Sequence, residues 1–153
     1  MFFYNPNIQP REEYDKRLEE FRRLLSFEEY SANLVAHEYD GDTFEVIAAP
    51  YMSVPEGGRR CEECFALRLG KTAEFAARDG FDYFTTTLSV SPHKNARLIN
   101  EIGSRLALEH GAKYLPADFK KRHGYKHSVA LSGQYGLYRQ TYCGCAPSFE
   151  GRH

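Results

Sequence analysis

Cys61-Glu62-Glu63-Cys64 places two thiols three residues apart, a spacing that suits a shared metal, an iron site or a redox pair. Cys143-Gly144-Cys145 is rarer and tighter. One intervening glycine brings its sulfurs together, permitting chelation of a single metal or closure of a small, strained and easily reduced disulfide ring. Taken together, the four cysteines also match a closed zinc tetrad, the set of a non-enzymatic structural module. Both readings stand on spacing alone.

Other residues able to act lie in two further stretches. His93 follows Ser91-Pro92 at the end of an apolar, β-branched run. A loop in that position commonly opens onto a crevice, so His93 is a candidate phosphate ligand or proton donor, or else a hydrogen-bonded structural histidine. Lys120, Lys121, Arg122, Lys126 and Arg139 are interleaved with His123, Tyr125, His127, Tyr135 and Tyr138. Cations beside aromatic rings suit the phosphates and unpaired bases of a nucleic acid, while the plainer reading is a solvated helix face with its tyrosines packed inward.

The elements that must position these residues follow from periodicity. Tyr14, Leu18, Phe21 and Leu25 recur at helical spacing after the turn Asn5-Pro6-Asn7, so Phe2–Tyr4 reads as a strand followed by an amphipathic helix. Residues 34–39 are expected to form a second strand, and Asp42 with Glu45 resembles a helix start. Glu56-Gly57-Gly58 breaks the chain, after which Phe65, Leu69, Ala73 and Ala76 share one helical face as far as Gly80. Cys61 and Cys64 therefore belong to a helix N-terminus, where backbone N–H groups and the dipole favour thiolates. Residues 82–88 read as a buried strand. Leu98, Ile102 and Leu106 mark a helix closed by Gly111, Tyr114-Leu115 a short strand, and residues 128–134 another helix.

Alternating strand and helix predicts an α/β fold with a mostly parallel sheet flanked by helices, since parallel neighbours need helical crossovers. A chain of 153 residues with 42% hydrophobic and 14% aromatic content has the length of one domain. Its net charge of −1, from 20 basic and 21 acidic residues, excludes recognition of nucleic acid by a global field. There is no basic leader followed by an apolar run and no stretch long enough to span a bilayer, so a cytoplasmic protein without a membrane partner is expected.

Five ordered blocks resemble those of the QueH-type epoxyqueuosine reductases: FFYNPNIQPREEYDKRLEE, RRCEECFALRL, FDYFTTTLSVSPHKN, ADFKKRHGYKHS and YRQTYCGC. The resemblance spans nearly the whole chain. It implies a Rossmann-like fold akin to the adenine-nucleotide hydrolase and PP-loop group. It implies, too, an oxidoreductase of tRNA modification that reduces epoxyqueuosine in the anticodon loop to queuosine, the last step of queuosine biosynthesis. A four-iron four-sulfur cluster is implied, with a further iron or other metal ion nearby. Its ligands are the C-x-x-C, here Cys61 and Cys64, and an upstream Cys-Cys pair at the end of a preceding strand. This sequence starts at MFFYNPN, so the expectation is a single domain over 1–153 with a truncated or misplaced start that omits the first β-α unit.

With that resemblance, Cys143 and Cys145 are expected either to cycle between dithiol and disulfide or to bind the second metal. Asp118, His93 and Tyr142 are expected proton donors or supporting partners. Lys120, Lys121, Arg139 and Tyr138 are expected to meet tRNA, and an unidentified electron donor is implied. A PP-loop enzyme would show an S-G-G-x-D-S-like loop to cradle pyrophosphate, and none occurs. The remaining alternatives are the zinc module and a catalytically incomplete fragment of the reductase.

Overall fold

The computed structural model describes residues 1–27 and 31–150, the last two of them by backbone alone. The chain divides into two compact units, Met1–Ser53 with Ala130–His153, and Val54–Val129. Each has its own apolar cluster.

In the first unit, β1 (Phe2–Phe3) pairs in parallel with β2 (Val35–Ala36), Phe2 opposite Val35 and Phe3 opposite Ala36. Between them in sequence runs α1 (Arg11–Leu25), and α2 (Gly41–Ala48) follows β2. Parallel pairing requires such a crossover. Tyr14 and Leu18, one turn apart on α1, are buried with Ile8, and Phe3, Leu34 and Tyr39 pack around them. The Phe3 ring meets those of Tyr14 and Phe21 at centroid distances of 5.4 and 5.9 Å. Tyr14 is amphipathic, so its ring fills the core while its hydroxyl donates to the His37 carbonyl at 2.7 Å.

The second unit is built on α3 (Arg59–Arg78) against α4 (Ala96–His110). Cys61, Phe65, Leu69, Ala73 and Ala76 form the buried stripe of α3, facing Ile99, Ile102, Leu106 and Ala107. The alanines leave room for a close approach, and each large apolar side chain removed from water contributes about 1.5–3 kcal/mol. Both ends of α4 match their residues: Asn95 Oδ1 accepts from the Leu98 N–H at 3.2 Å, and Gly111 closes the helix at φ 68°. α5 (Gly124–Gln134) starts a turn earlier than periodicity indicates, and α6 (Ala146–Glu150) is the last element.

The sheet is smaller than expected. Among the described residues it comprises two strands, and residues 82–88 contribute only one parallel bridge, Phe84 opposite Tyr114. Tyr83 is 58% exposed, whereas Phe84 is 5% exposed, so this run is not a buried strand. Thr86 explains the early end. Its hydroxyl accepts from the Leu88 N–H at 3.2 Å, tightening Thr87–Val90 into a 3₁₀ turn.

Asn100 on α4 anchors the chain after that bridge. Its Oδ1 accepts from the Tyr114 hydroxyl at 3.0 Å and from the Ala117 N–H at 3.1 Å, while its Nδ2 donates to the Ala117 carbonyl at 3.2 Å. Replacing Asn100 with Ala strands these groups, and we expect a loss of about 3 kcal/mol in denaturant-unfolding free energy. Asn100→Asp, which keeps one acceptor, is expected to lose less.

Candidate functional site

Cys61 stands in the first turn of α3 and Cys64 in the second. Gly57, at φ 92°, and Gly58 turn the chain into the helix, and the Cys61 N–H donates to the Gly58 carbonyl at 2.9 Å. The Gly57 N–H reaches the Cys61 Sγ at 3.3 Å. Both cysteines are buried at 7% exposure. Two thiol side chains are the donor type that iron–sulfur ligation takes, and Cys61 and Cys64 would supply two of the four thiolates of such a cluster. Among the described residues, no three His, Cys, Asp or Glu side chains gather at one point.

The C-x-C turn lies in the other unit. Cys143 is half-buried, Cys145 is 6% exposed, and neither is in a disulfide. The Gly144 carbonyl accepts from the Gln9 N–H at 2.8 Å, and the Ala146 N–H donates to the Gln9 Oε1 at 3.3 Å. Ser148 closes the turn, donating to the Cys145 carbonyl at 2.8 Å and lying 3.5 Å from the Cys145 Sγ. The Tyr142 hydroxyl donates to the Gln9 carbonyl. Gly144 is at φ 139°, and a Cβ there would come within 2.9 Å of the Asn7 Nδ2 and 3.0 Å of the Ile8 Cγ1.

One face of α1 receives the chain leading into this turn. The Arg17 Nη1 donates to the Cys143 carbonyl at 3.0 Å and its Nη2 to the Tyr142 carbonyl at 3.1 Å. Its Nε donates to Glu13 at 2.8 Å, and the two side chains are only 9% and 13% exposed. The guanidinium also lies 4.9 Å from the centre of the Tyr142 ring. Glu13 accepts the Tyr138 hydroxyl at 3.0 Å, Glu20 accepts the Tyr138 N–H at 2.8 Å, and Arg23 donates to the Tyr135 and Gly136 carbonyls. The Lys16 ammonium stands 3.5 Å above the Tyr138 ring. Tyr138 is thus engaged on both hydroxyl and ring, a placement that supports the turn more directly than it offers a base-stacking surface.

The remaining predicted residues occupy the second unit, apart from Arg139, which is exposed and donates to Ser132 at 3.2 Å. His93 is exposed. Asp118 pairs with Lys120 at 3.4 Å, and the Lys120 ammonium also donates to the Lys94 carbonyl at 2.9 Å. Lys121 is exposed, as are Arg122, His123, Tyr125, Lys126 and His127 beside it. The sequence reading missed Lys94, a cation at 9% exposure paired with Glu56 at 2.7 Å, and it missed Gln9, Glu13 and Arg17. Glu13 and Arg17 carried a signal in their i, i+4 spacing, and all three fall within the first matched block.

The family model described as epoxyqueuosine reductase QueH matches residues 1–150, a range that contains both cysteine pairs. The chain belongs to the QueH epoxyqueuosine reductase family. A relative of that name from Streptococcus pyogenes is 40% identical over 157 residues, covering 95% of this chain and 58% of its own length. Another from Thermotoga maritima is 39% identical over 154 residues, covering 99% of this chain and 79% of its own. The chain spans less than two thirds of the Streptococcus relative and also of one from Staphylococcus epidermidis, 63% of which it covers at 39% identity.

Two outcomes follow from the geometry of the C-x-C turn. Gly144→Ala combines a backbone conformation closed to L-residues with a clash, and we expect a loss of about 2–4 kcal/mol in unfolding free energy. Burial, then the Glu13 hydrogen bond, raises the Tyr138 pKa above its ordinary value. A raised folded pKa gives stability that is full below the unfolded value, near about 10, and lost as pH climbs through the folded value. Tyr14, Tyr39 and Tyr114 are raised by burial as well, so unfolding free energy should fall at alkaline pH and Tyr138→Phe should remove part of that fall.

Proposed function

We propose that this chain reduces the epoxide of epoxyqueuosine in tRNA to the alkene of queuosine. The observation that carries the reading is the family match from residue 1 to residue 150, which holds both cysteine motifs in order. We further propose that the fold is of the Rossmann-like type, which the parallel β1–α1–β2 unit supports, and that the protein works in the cytoplasm as a single domain.

Removing an epoxide oxygen as water takes two electrons and two protons. In this reading Cys143 and Cys145 provide them, since closing their dithiol to a disulfide releases two electrons and two protons. The dithiol is regenerated by an external two-electron donor, in chemical class a reduced thiol or a low-potential redox protein. Cys61 and Cys64 would hold one side of a four-iron four-sulfur cluster. Such a cluster, when bound, supplies one-electron transfer and a Lewis-acidic iron. A further metal near it belongs to the same proposal.

His93, Asp118 and Tyr142 are proposed to relay the two protons released by the dithiol, or to support that relay. His93 is exposed, with its imidazole within reach of solvent. Asp118 is held beside Lys120, where it can orient a donor rather than act alone. Tyr142 spends its hydroxyl on the Gln9 carbonyl, which suits a supporting role. Lys120, Lys121 and Arg139 are the proposed phosphate contacts, joined by the exposed Arg122 and Lys126. Such binding weakens steeply with salt.

Anaerobic reconstitution tests the reading, with iron, sulfide and zinc measured beside mass analysis of epoxyqueuosine-containing tRNA. Iron and sulfide with conversion to queuosine are expected, both lost in Cys61→Ala. Zinc alone without conversion overturns the proposal and favours the structural module.

A further inference from the structure

Two residues outside the cysteine motifs fix the C-x-C turn. The peptide planes that flank Cys143 carry the Tyr142 and Cys143 carbonyls, and Arg17 holds both, at 3.1 and 3.0 Å. Peptide units are rigid, so holding both neighbours of a Cα sets its φ and ψ and thereby the direction of its Cβ. The planes that flank Cys145 carry the Gly144 carbonyl and the Ala146 N–H, and Gln9 holds both, the first through its backbone N–H at 2.8 Å and the second through its Oε1 at 3.3 Å. The two Cα–Cβ directions are therefore set by two different clamps.

The clamps are themselves braced. Arg17 is locked by Glu13 at 2.8 Å with little exposure of either group, and a guanidinium fork reaches two oxygens in a way that an ammonium does not. The Gln9 side chain donates to Glu45 and accepts from Ala146, leaving its amide oriented from both ends. Between the clamps, Gly144 sits at φ 139°, a backbone conformation that L side chains rarely adopt.

We propose that Arg17 and Gln9 are positioning residues that independently fix Cys143 and Cys145, keeping Cys143 open to reaction partners and Cys145 protected until its partner thiol has reacted. This division of labour rests on the reading of the pair as the redox dithiol. Cys143, half-buried, meets an incoming group first. Cys145, buried against Ser148, then closes the ring.

Thiol alkylation measures the positioning without reference to turnover. The reduced full-length protein is treated with iodoacetamide at fixed pH, and modification of each cysteine is followed by peptide mass analysis. Cys143 is expected to react well ahead of Cys145. In Arg17→Lys, where the fork is lost but a cation remains, the rate at Cys143 is expected to change by about tenfold while the rate at Cys145 moves less. Gln9→Ala keeps its backbone N–H bond and loses the Oε1 contact, so it should accelerate Cys145 selectively. Far-UV circular dichroism and the unfolding midpoint are recorded for each variant, and Arg17→Gln replaces Arg17→Lys if the latter fails to fold.

Unchanged rates at both thiols in folded variants overturn the positioning proposal, as does an equal change at both cysteines in either variant. Failure of the redox reading looks different. There, Cys143→Ser and Cys145→Ser retain full tRNA conversion, while the alkylation pattern still follows Arg17 and Gln9.

Discussion

Arg17 is the cation around which the first unit is organised. It leaves solvent almost entirely, and the cost of that desolvation is offset by four partners of the guanidinium: a carboxylate, two main-chain carbonyls and an aromatic ring. Removing any one partner leaves a buried charge poorly compensated. Helix α1 thus does two things with its two faces. Tyr14 and Leu18 attach it to the apolar cluster, while Glu13, Arg17, Glu20 and Arg23 gather a chain segment more than a hundred residues later in sequence.

In the second unit the constraint is apolar. The stripe from Cys61 to Ala76 places a cysteine at the very start of the same face that builds the core. The Cys61 thiol is thereby held by the packing of α3 on α4 and by the glycine turn before it, and Cys64 rides on the same helix. Functional groups placed on rigid elements keep their geometry. The exposed basic residues around α5 have the opposite character, lying on the surface where electrostatics can act at a distance.

Much of this was legible in the sequence. The 3.6-residue period located α1, α3 and α4, and glycines marked the ends of the last two, because amphipathic helices carry their burial pattern locally. The sheet was overestimated. A β-branched run such as Thr85-Thr86-Thr87 favours extended structure, yet Thr86 turned its own hydroxyl onto the backbone, a choice that propensity does not encode. Both cysteine pairs were visible as motifs. Arg17 and Gln9 were not singled out, since their partners are main-chain groups some 126 and 135 or more positions away, and a backbone carbonyl has no residue type to read.

The central claim is that Cys143 and Cys145 supply the electrons for epoxide removal from a turn built to hold them apart in reactivity. A single-turnover reaction decides it: fully reduced protein is mixed anaerobically with epoxyqueuosine-containing tRNA and no external reductant, then quenched in acid and mapped by mass spectrometry. The account predicts one Cys143–Cys145 disulfide formed for each queuosine produced. Queuosine formed in that single turnover with both thiols still reduced contradicts it.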